Sequence, residues 1–180
     1  MKVKVLKELQ KIIPLLTLHN LNLEISCTIV QKNLLFSLFV LKNHISYQYT
    51  LLSAISGVDY LTSLYRFGVV YELLSLTFNT RLRLKTFLSA NTLIPSSIEV
   101  YVNANWWERE IWDMYGIIFT KHPDLRRILT DYGFEGHPMR KDFPLQGYLE
   151  LHYNENKKSL VIEVIELSQD FRFFTFETPW

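Results

Sequence analysis

The feature that most constrains the fold is an alternation of basic and apolar side chains in residues 81–88. There, Arg81, Arg83 and Lys85 alternate with Leu82, Leu84 and Thr86. This period of two is typical of a β-strand with one solvated face and one packed face. Residues 67–76 read as a second strand, and Asn79 lies in the short connection between the two. The sequence therefore predicts an antiparallel hairpin within an α+β fold, with a roughly four-stranded, largely antiparallel sheet and helices packed on it.

Other segments before residue 100 fit the same fold. Residues 3–13 have apolar side chains at helical spacing, and Pro14 would end that helix. Strands are predicted over residues 21–30 and 47–55, with a turn region over residues 57–63. Residues 34–41 could form a helix or a buried strand, because a short apolar run does not distinguish them, and we favour the helix.

A further helix begins at Asn103 or Asn105, either of which can act as its N-cap, and runs to Tyr115. Glu108 is placed for a capping-box contact, and Gly116 takes the position after the last turn.

The apolar side chains of this helix spread over more than the ~100° stripe that a surface helix needs. They are Trp107, Ile111, Trp112, Met114 and Tyr115. Arg109 and Asp113 fall on the remaining arc at i,i+4 spacing. Two interpretations stay open: a core helix with one salt bridge, or a helix held between its own domain and a second protein.

Residues 116–148 hold most of the glycines and half of the prolines, so an irregular or extended segment is predicted. We expect an α+β domain over residues 1–116 and a long, irregular and extended C-terminal arm over residues 117–180 that packs on a partner subunit. Both signs of charge are dense there, with Lys121, Arg126, Arg127, Arg140 and Lys141 against Asp124, Asp131, Glu135 and Asp142. Arginine and aromatic residues favour protein contacts.

The end of the chain is aromatic: Phe171, Phe173, Phe174, Phe176 and Trp180. These rings would form an exposed apolar patch on a free monomer. The end either folds back as a last strand or lies as an arm over a partner.

Composition excludes several functions. Nineteen basic residues nearly balance 18 acidic ones, so nucleic acid is not an expected partner. The single cysteine, Cys27, cannot supply the four thiolates of an iron–sulfur cluster. The longest apolar run, residues 34–41, is shorter than the roughly 20 residues of a membrane span. Phosphate-binding glycine loops and nucleophile motifs are absent from the sequence.

Histidines give a weak alternative. A metal-dependent hydrolase would have to use His122, His137 and Glu135, but these residues lack the spacing of a credible ligand set. His152, near Glu150, is no better placed. We expect no catalytic, cofactor-binding or metal-binding residues in this chain.

A long motif resembles a known family. Residues 108–116 read EREIWDMYG, and residues 122–129, 130–138 and 140–145 read HPDLRRIL, TDYGFEGHP and RKDFPL. The motif resembles that of the 30-kDa subunit of respiratory NADH:ubiquinone oxidoreductase (complex I), also called NADH dehydrogenase subunit 9, of the mitochondrial and proteobacterial type. Residues 66–67, 69–71, 73–75 and 81–83 also resemble the family's hairpin.

The resemblance implies a non-catalytic core subunit of the peripheral, hydrophilic arm, bound to the 49-kDa subunit next to the quinone site. The complex uses FMN, iron–sulfur clusters, NADH and ubiquinone, and none would be bound by this chain. A homologous scaffold subunit of a membrane-bound hydrogenase-type complex is the alternative. The implied location is the matrix side of the mitochondrial inner membrane, or a bacterial cytoplasmic face. Because the start of the sequence lacks transit-peptide character, we expect an organelle-encoded chain.

By position, the resemblance assigns the motif residues to structure or to the partner interface. They are Glu108, Arg109, Glu110, Asp113, Tyr115, Gly116, His122, Arg126, Arg127, Asp131, Tyr132, Gly133, Gly136, Pro138, Arg140, Lys141 and Phe143, followed by Phe171, Phe174 and Trp180 at the end of the chain.

Overall fold

A computed structural model describes residues 12–21 and 24–169, together with residues 172, 174, 176, 178 and 180. The predicted helix over residues 3–13 lies almost entirely outside these residues, as do Phe171 and Phe173. The chain divides into two compact units, residues 1–142 and residues 143–180.

A five-stranded sheet forms the centre of the first unit. Its strands are β1 (Leu15–Leu21), β2 (Glu24–Ile29), β3 (Leu51–Asp59), β4 (Phe67–Ser75) and β5 (Thr80–Leu88), in the spatial order β1-β2-β5-β4-β3. β2 runs parallel to β5, and the other neighbours are antiparallel. The predicted α+β class and largely antiparallel sheet are confirmed, with one strand more than the four expected.

The predicted hairpin corresponds to β4 and β5, which pair from Phe67 with Leu88 to Ser75 with Thr80. Along β5, Leu82, Leu84 and Thr86 are buried while their basic neighbours are not. The alternation of basic and apolar residues thus correctly predicted which face of β5 is buried. β3 begins and ends later than the strand predicted over residues 47–55, and it extends through part of the predicted turn region.

Two helices pack on the sheet among the described residues of the first unit. Helix α1 (Leu34–Asn43) follows a short 3-10 turn and buries Leu34, Leu38 and Leu41 in the core, so the helical interpretation of this segment is confirmed. Helix α2 (Ala104–Tyr115) packs against β3 and buries Ala104 and Ile111. Among the described residues, the structure contains no helix long and apolar enough to cross a membrane.

Two short strands, β6 (Ile94–Pro95) and β7 (Phe119–Thr120), pair in parallel on either side of α2 in the sequence. This pairing brings the residues after β6 close to the helix. In the second unit, β8 (Leu149–Asn154) and β9 (Ser159–Val164) form an antiparallel hairpin.

The first compact unit extends to Asp142. The physical reason is that residues 126–141 are hydrogen-bonded to α2 and to β3. That residues 117–180 pack on a partner stays a prediction.

Candidate functional site

Helix α2 carries three charged side chains that are buried, which is unusual because isolated charges are costly to bury. Glu108 and Asp113 have no exposed surface, and Arg109 is 7% exposed. Asn103 occupies the N-cap position, as predicted, but its side-chain amide donates to the Leu52 carbonyl of β3 at 2.7 Å instead of capping the helix. The charged motif therefore faces inward, and each charge needs a partner.

Glu108 binds the segment after β6. Its carboxylate accepts hydrogen bonds from the Ser96 hydroxyl at 2.6 Å and from both the backbone N–H and the hydroxyl of Ser97 at 2.7 Å. His122 Nε2 lies 4.0 Å from this carboxylate. Burial raises the pKa of Glu108, and the hydrogen bonds from Ser96 and Ser97 counter part of that rise. The predicted capping-box contact is wrong, because the pairing of β6 with β7 places these serines within reach of Glu108.

Asp113 organises the loop after β7. Its carboxylate accepts backbone N–H groups of Ile128, Leu129 and Thr130 at 3.2, 2.7 and 3.0 Å, and the Thr130 hydroxyl at 2.7 Å. Arg127 adds a charged donor at 3.1 Å. Burial alone would raise the pKa of Asp113, but the hydrogen bonds from Thr130, Leu129 and Ile128 outweigh it and lower the pKa to about 2.

The i,i+4 salt bridge between Arg109 and Asp113, part of one of the two interpretations left open for this helix, does not form among the described residues, because Asp113 is paired with Arg127 of the loop. The Arg109 guanidinium lies 4.8 Å from the Trp106 ring centroid, and its Nε lies 3.5 Å from the Arg126 carbonyl. Helical spacing permits such a pair, but the loop supplies Asp113 with more donors than one helix neighbour could.

The same loop satisfies the carbonyl groups at the end of α2, which have no partner within a helix. His137 Nδ1 lies 3.0 Å from the Asp113 carbonyl, the Met139 N–H donates to Met114 at 3.1 Å, and Arg140 Nε donates to Tyr115 at 2.7 Å. Burial lowers the pKa of His137. Part of the segment that was predicted to be irregular thus caps the C-terminus of α2.

Gly116 connects the end of α2 to this capping segment. Its φ of +76° is the left-handed conformation that follows many helices, as predicted from sequence. A Cβ atom here would collide with the Arg140 guanidinium and lie 2.6 Å from His137 Nε2. Glycine is therefore required both by backbone conformation and by space.

A third buried acid, Asp59, was missed from the sequence. The Asp59 side chain, at the end of β3, accepts both Nε and Nη2 of Arg66 at 2.9 and 3.0 Å, and the Lys141 N–H at 2.9 Å. The Arg66 hydrogen bond is the largest influence on Asp59 and lowers its pKa. Arg66 also contacts Asp142 at 2.8 Å. Opposite charges across the turn between two strands were the available signal for the Asp59–Arg66 pair.

Other predicted residues lie elsewhere. Asp131, Tyr132, Gly133, Gly136 and Lys141 are exposed, as are Phe174 and Trp180; Pro138 and Phe143 are partly buried. Arg126 is exposed and pairs with exposed Asp124 at 2.9 Å.

The three residues considered for a hydrolase do not come together. His122 lies beside Glu108, His137 packs on Trp112 with ring centroids 5.5 Å apart, and Glu135 is exposed. Within the described parts of the chain, histidine, cysteine and acidic side chains form no group of three that could hold a metal ion.

The sequence pattern described as "Respiratory-chain NADH dehydrogenase, 30 Kd subunit" matches residues 27–149, which include α2 and the whole loop docked on it. The chain belongs to this 30-kDa subunit family. The resemblance seen in the motif is thereby confirmed, and Glu108 and Asp113 are part of that motif.

Relatives of this 30-kDa family member are similar over most of their length. It is 52% identical to "NADH-ubiquinone oxidoreductase subunit 9" of Prototheca wickerhamii over 143 residues, 79% of this chain and 74% of that protein. It is 49% identical to the protein of the same name in Reclinomonas americana over 157 residues, 87% and 77% of the two chains. It is 54% identical to "NADH dehydrogenase (ubiquinone) iron-sulfur protein 3" of Beta trigyna over 140 residues, 78% and 73% of the two chains.

A solved structure shares the fold. A chain of the membrane-bound sulfane sulfur reductase, an archaeal respiratory membrane complex, superposes with a TM-score of 0.69 over 80% of this chain and 86% of that chain. The sequence identity is 20%, so the likeness establishes the architecture alone.

Proposed function

We propose that this chain is a non-catalytic core subunit of the peripheral arm of mitochondrial NADH:ubiquinone oxidoreductase, in contact with the 49-kDa subunit on the matrix side. Identity of about half to relatives named as subunits of that enzyme supports the choice of complex. The role as a scaffold rests on the surfaces and buried charges of this chain.

The observation that carries the scaffold role is an apolar sheet face in the second unit. The cross-strand pairs Leu149 with Val164, Leu151 with Ile162, and Tyr153 with Leu160 alternate with more polar pairs along β8 and β9. Side chains of alternate pairs share one face of a hairpin. All six are more than half exposed. A two-stranded hairpin is marginal by itself in water, so a partner that covers this face would stabilise it.

The buried acids support a structural role rather than a catalytic one. Glu108, Asp113 and Asp59 each accept at least three hydrogen bonds from this chain, so their oxygens are engaged in holding the loop and the strands. General acid–base catalysis needs a group within reach of a substrate proton. The chemistry of NADH oxidation and quinone reduction would belong to other subunits, which hold the FMN and iron–sulfur clusters.

Cysteine chemistry agrees with this assignment, although the name of the Beta trigyna relative includes "iron-sulfur protein". The one cysteine, Cys27, is buried, and burial raises its pKa to about 12. A cluster ligand must be a thiolate, and four are normally needed.

The test is a paired substitution on the hairpin. Leu151→Thr with Ile162→Thr keeps residues suited to strands but removes two apolar side chains from the exposed face. His152→Thr with Val161→Thr is the matched control, since these residues form the adjacent cross-strand pair on the opposite face. Each fully buried leucine or isoleucine stabilises by about 1.5–3 kcal/mol, so the first variant should bind its partner at least about 100-fold more weakly.

Wild-type and control chains should co-purify with the 49-kDa subunit after mild detergent extraction, and the first variant should not. Equal retention of both variants would contradict the hairpin's role. Co-purification of the wild-type chain with subunits of a nickel-containing hydrogenase-type complex would replace the proposed complex with the alternative one.

A further inference from the structure

A cleft of about 250 Å³ lies between helix α2 and strand β3 in the first unit. Ile55, Trp107, Met114 and Tyr115 are among its walls. Leu129 and Met139 also line it, and they are 61% and 54% exposed. The cleft is open to solvent through these two residues, and its walls are mostly apolar.

Gly57 is one of the residues that line the cleft. A Cβ atom at Gly57 of β3 would lie 2.6 Å from ring carbon Cδ2 of Tyr115. Glycine at this position lets the Tyr115 ring lie directly against the strand. A larger side chain would push the end of α2 away and change the shape of the cleft.

Glu110 is the charged residue among those that line the cleft. Within the part of the chain that the structure describes, no hydrogen bond or ion pair reaches its carboxylate. This contrasts with Glu108 and Asp113 on the same helix, whose carboxylates accept three and five hydrogen bonds. A carboxylate beside apolar walls is stabilised by a cation, since the walls cannot replace the water that they displace.

Arg66 and Arg140, in the same unit, have partners of their own. Arg66 is held by Asp59 and Asp142. Arg140 donates to the Tyr115 carbonyl and lies over the Phe67 ring, 5.2 Å from its centroid. Burial raises the pKa of Tyr115, and the negative charges of Asp59 and Glu110 raise it further. The cleft is therefore mostly apolar, with one carboxylate, that of Glu110, in its lining.

We infer that this cleft receives an arginine or lysine side chain from a neighbouring subunit, with the aliphatic stem against Met114 and Trp107 and the cation on Glu110. Long basic side chains combine an apolar stem with a charged end, and aromatic ring faces attract cations. The exposed Leu129 and Met139 extend the apolar surface beyond the cleft, which fits a polypeptide better than a free amine. This inference rests on the proposed function, because it needs an assembled complex.

The first experiment compares Glu110→Gln with Glu99→Gln in the assembled complex. Both variants remove one negative charge, and Glu99 is an exposed residue that does not line the cleft. Glu110→Gln keeps the side-chain shape and breaks no internal hydrogen bond, so folding should be unchanged. We expect Glu110→Gln to release this chain from the complex with an equilibrium constant about two- to fivefold larger than that of Glu99→Gln.

The second experiment places a photoreactive diazirine amino acid at position 139 in the assembled complex and identifies the cross-linked peptide. We expect a peptide of another subunit with an arginine or lysine within two residues of the cross-link. Equal release of the two glutamine variants, or a cross-linked segment without a basic residue, would overturn the inference. Co-purification of the wild-type chain with the complex separates these failures from failure of the proposed function.

Discussion

Replacing Asp113 with asparagine tests whether one carboxylate holds the signature loop on helix α2. Three backbone N–H groups, one hydroxyl and one guanidinium converge on this fully buried side chain. Its pKa lies at about 2, against an ordinary value of 3.8. That difference corresponds to about 2.5 kcal/mol of extra stability for the ionised form. Asparagine keeps the shape and loses this contribution.

Hydrogen exchange in the purified complex measures the effect where it arises. We expect the protection factors of the Ile128, Leu129 and Thr130 amides to fall by about 60-fold in Asp113→Asn, which is the same free energy expressed as a ratio. Asp124→Asn is the control, because it removes the same charge from an exposed ion pair worth about 0–1 kcal/mol.

The pH dependence has a defined sign. Because the folded pKa of Asp113 is lowered, its contribution is complete above about pH 4 and is lost as the pH falls towards 2. Protection of the three amides in the wild-type chain should weaken across this window, while Asp113→Asn should lack that titration. A loss of protection below about threefold, or one matched by Asp124→Asn, would refute the reasoning.

Three further outcomes follow from the site. Arg126→Ala should reduce the amount of assembled enzyme, with turnover per assembled complex nearly normal, because this exposed side chain adds little to the fold; native gels with activity staining measure both quantities, and full assembly with lost turnover would contradict it. Gly116→Ala should lower the stability of the chain by more than about 1 kcal/mol relative to Gly133→Ala, because both glycines have positive φ but only a Cβ at Gly116 would collide with other atoms. Thermal unfolding of the complex compares the two variants, and equal unfolding midpoints would contradict the packing argument. Asp59→Asn should lower stability at pH 7 but leave the difference smaller below pH 4, since the lowered pKa makes the wild-type contribution disappear on protonation; a pH-independent difference would be inconsistent with an ionised Asp59.

The local parts of the fold were predictable from sequence. The alternation in residues 81–88 predicted which side chains of β5 are buried, because successive side chains of a strand point to opposite faces of the sheet. Gly116 as the end of α2 was equally predictable, because the left-handed conformation is a local requirement. The parallel pairing of β2 with β5 was missed, since no periodicity encodes which distant strand becomes a neighbour.

The residues of the candidate site could be predicted from the sequence, but their hydrogen-bond partners could not. Spacing on the helix suggested a capping role for Glu108, yet its partners are Ser96 and Ser97, which the β6–β7 pair brings to it. Asp113 likewise accepts its hydrogen bonds from a loop. A helical wheel shows only the positions of residues within the helix, so it cannot predict the path of that loop. Tertiary contacts decide where a buried charge is satisfied.

The position of β2 has a consequence for synthesis on the ribosome. Its Ile25 pairs with Leu82, so the β1–β2 hairpin cannot join the sheet until β5 has emerged, whereas β3, β4 and β5 pair with their neighbours in sequence. Closing the longer loop costs more chain entropy and comes later. We therefore expect a nascent chain in which the edge of β2 that later pairs with β5 waits unpaired, so a folding helper that protects strand edges would matter most during that interval.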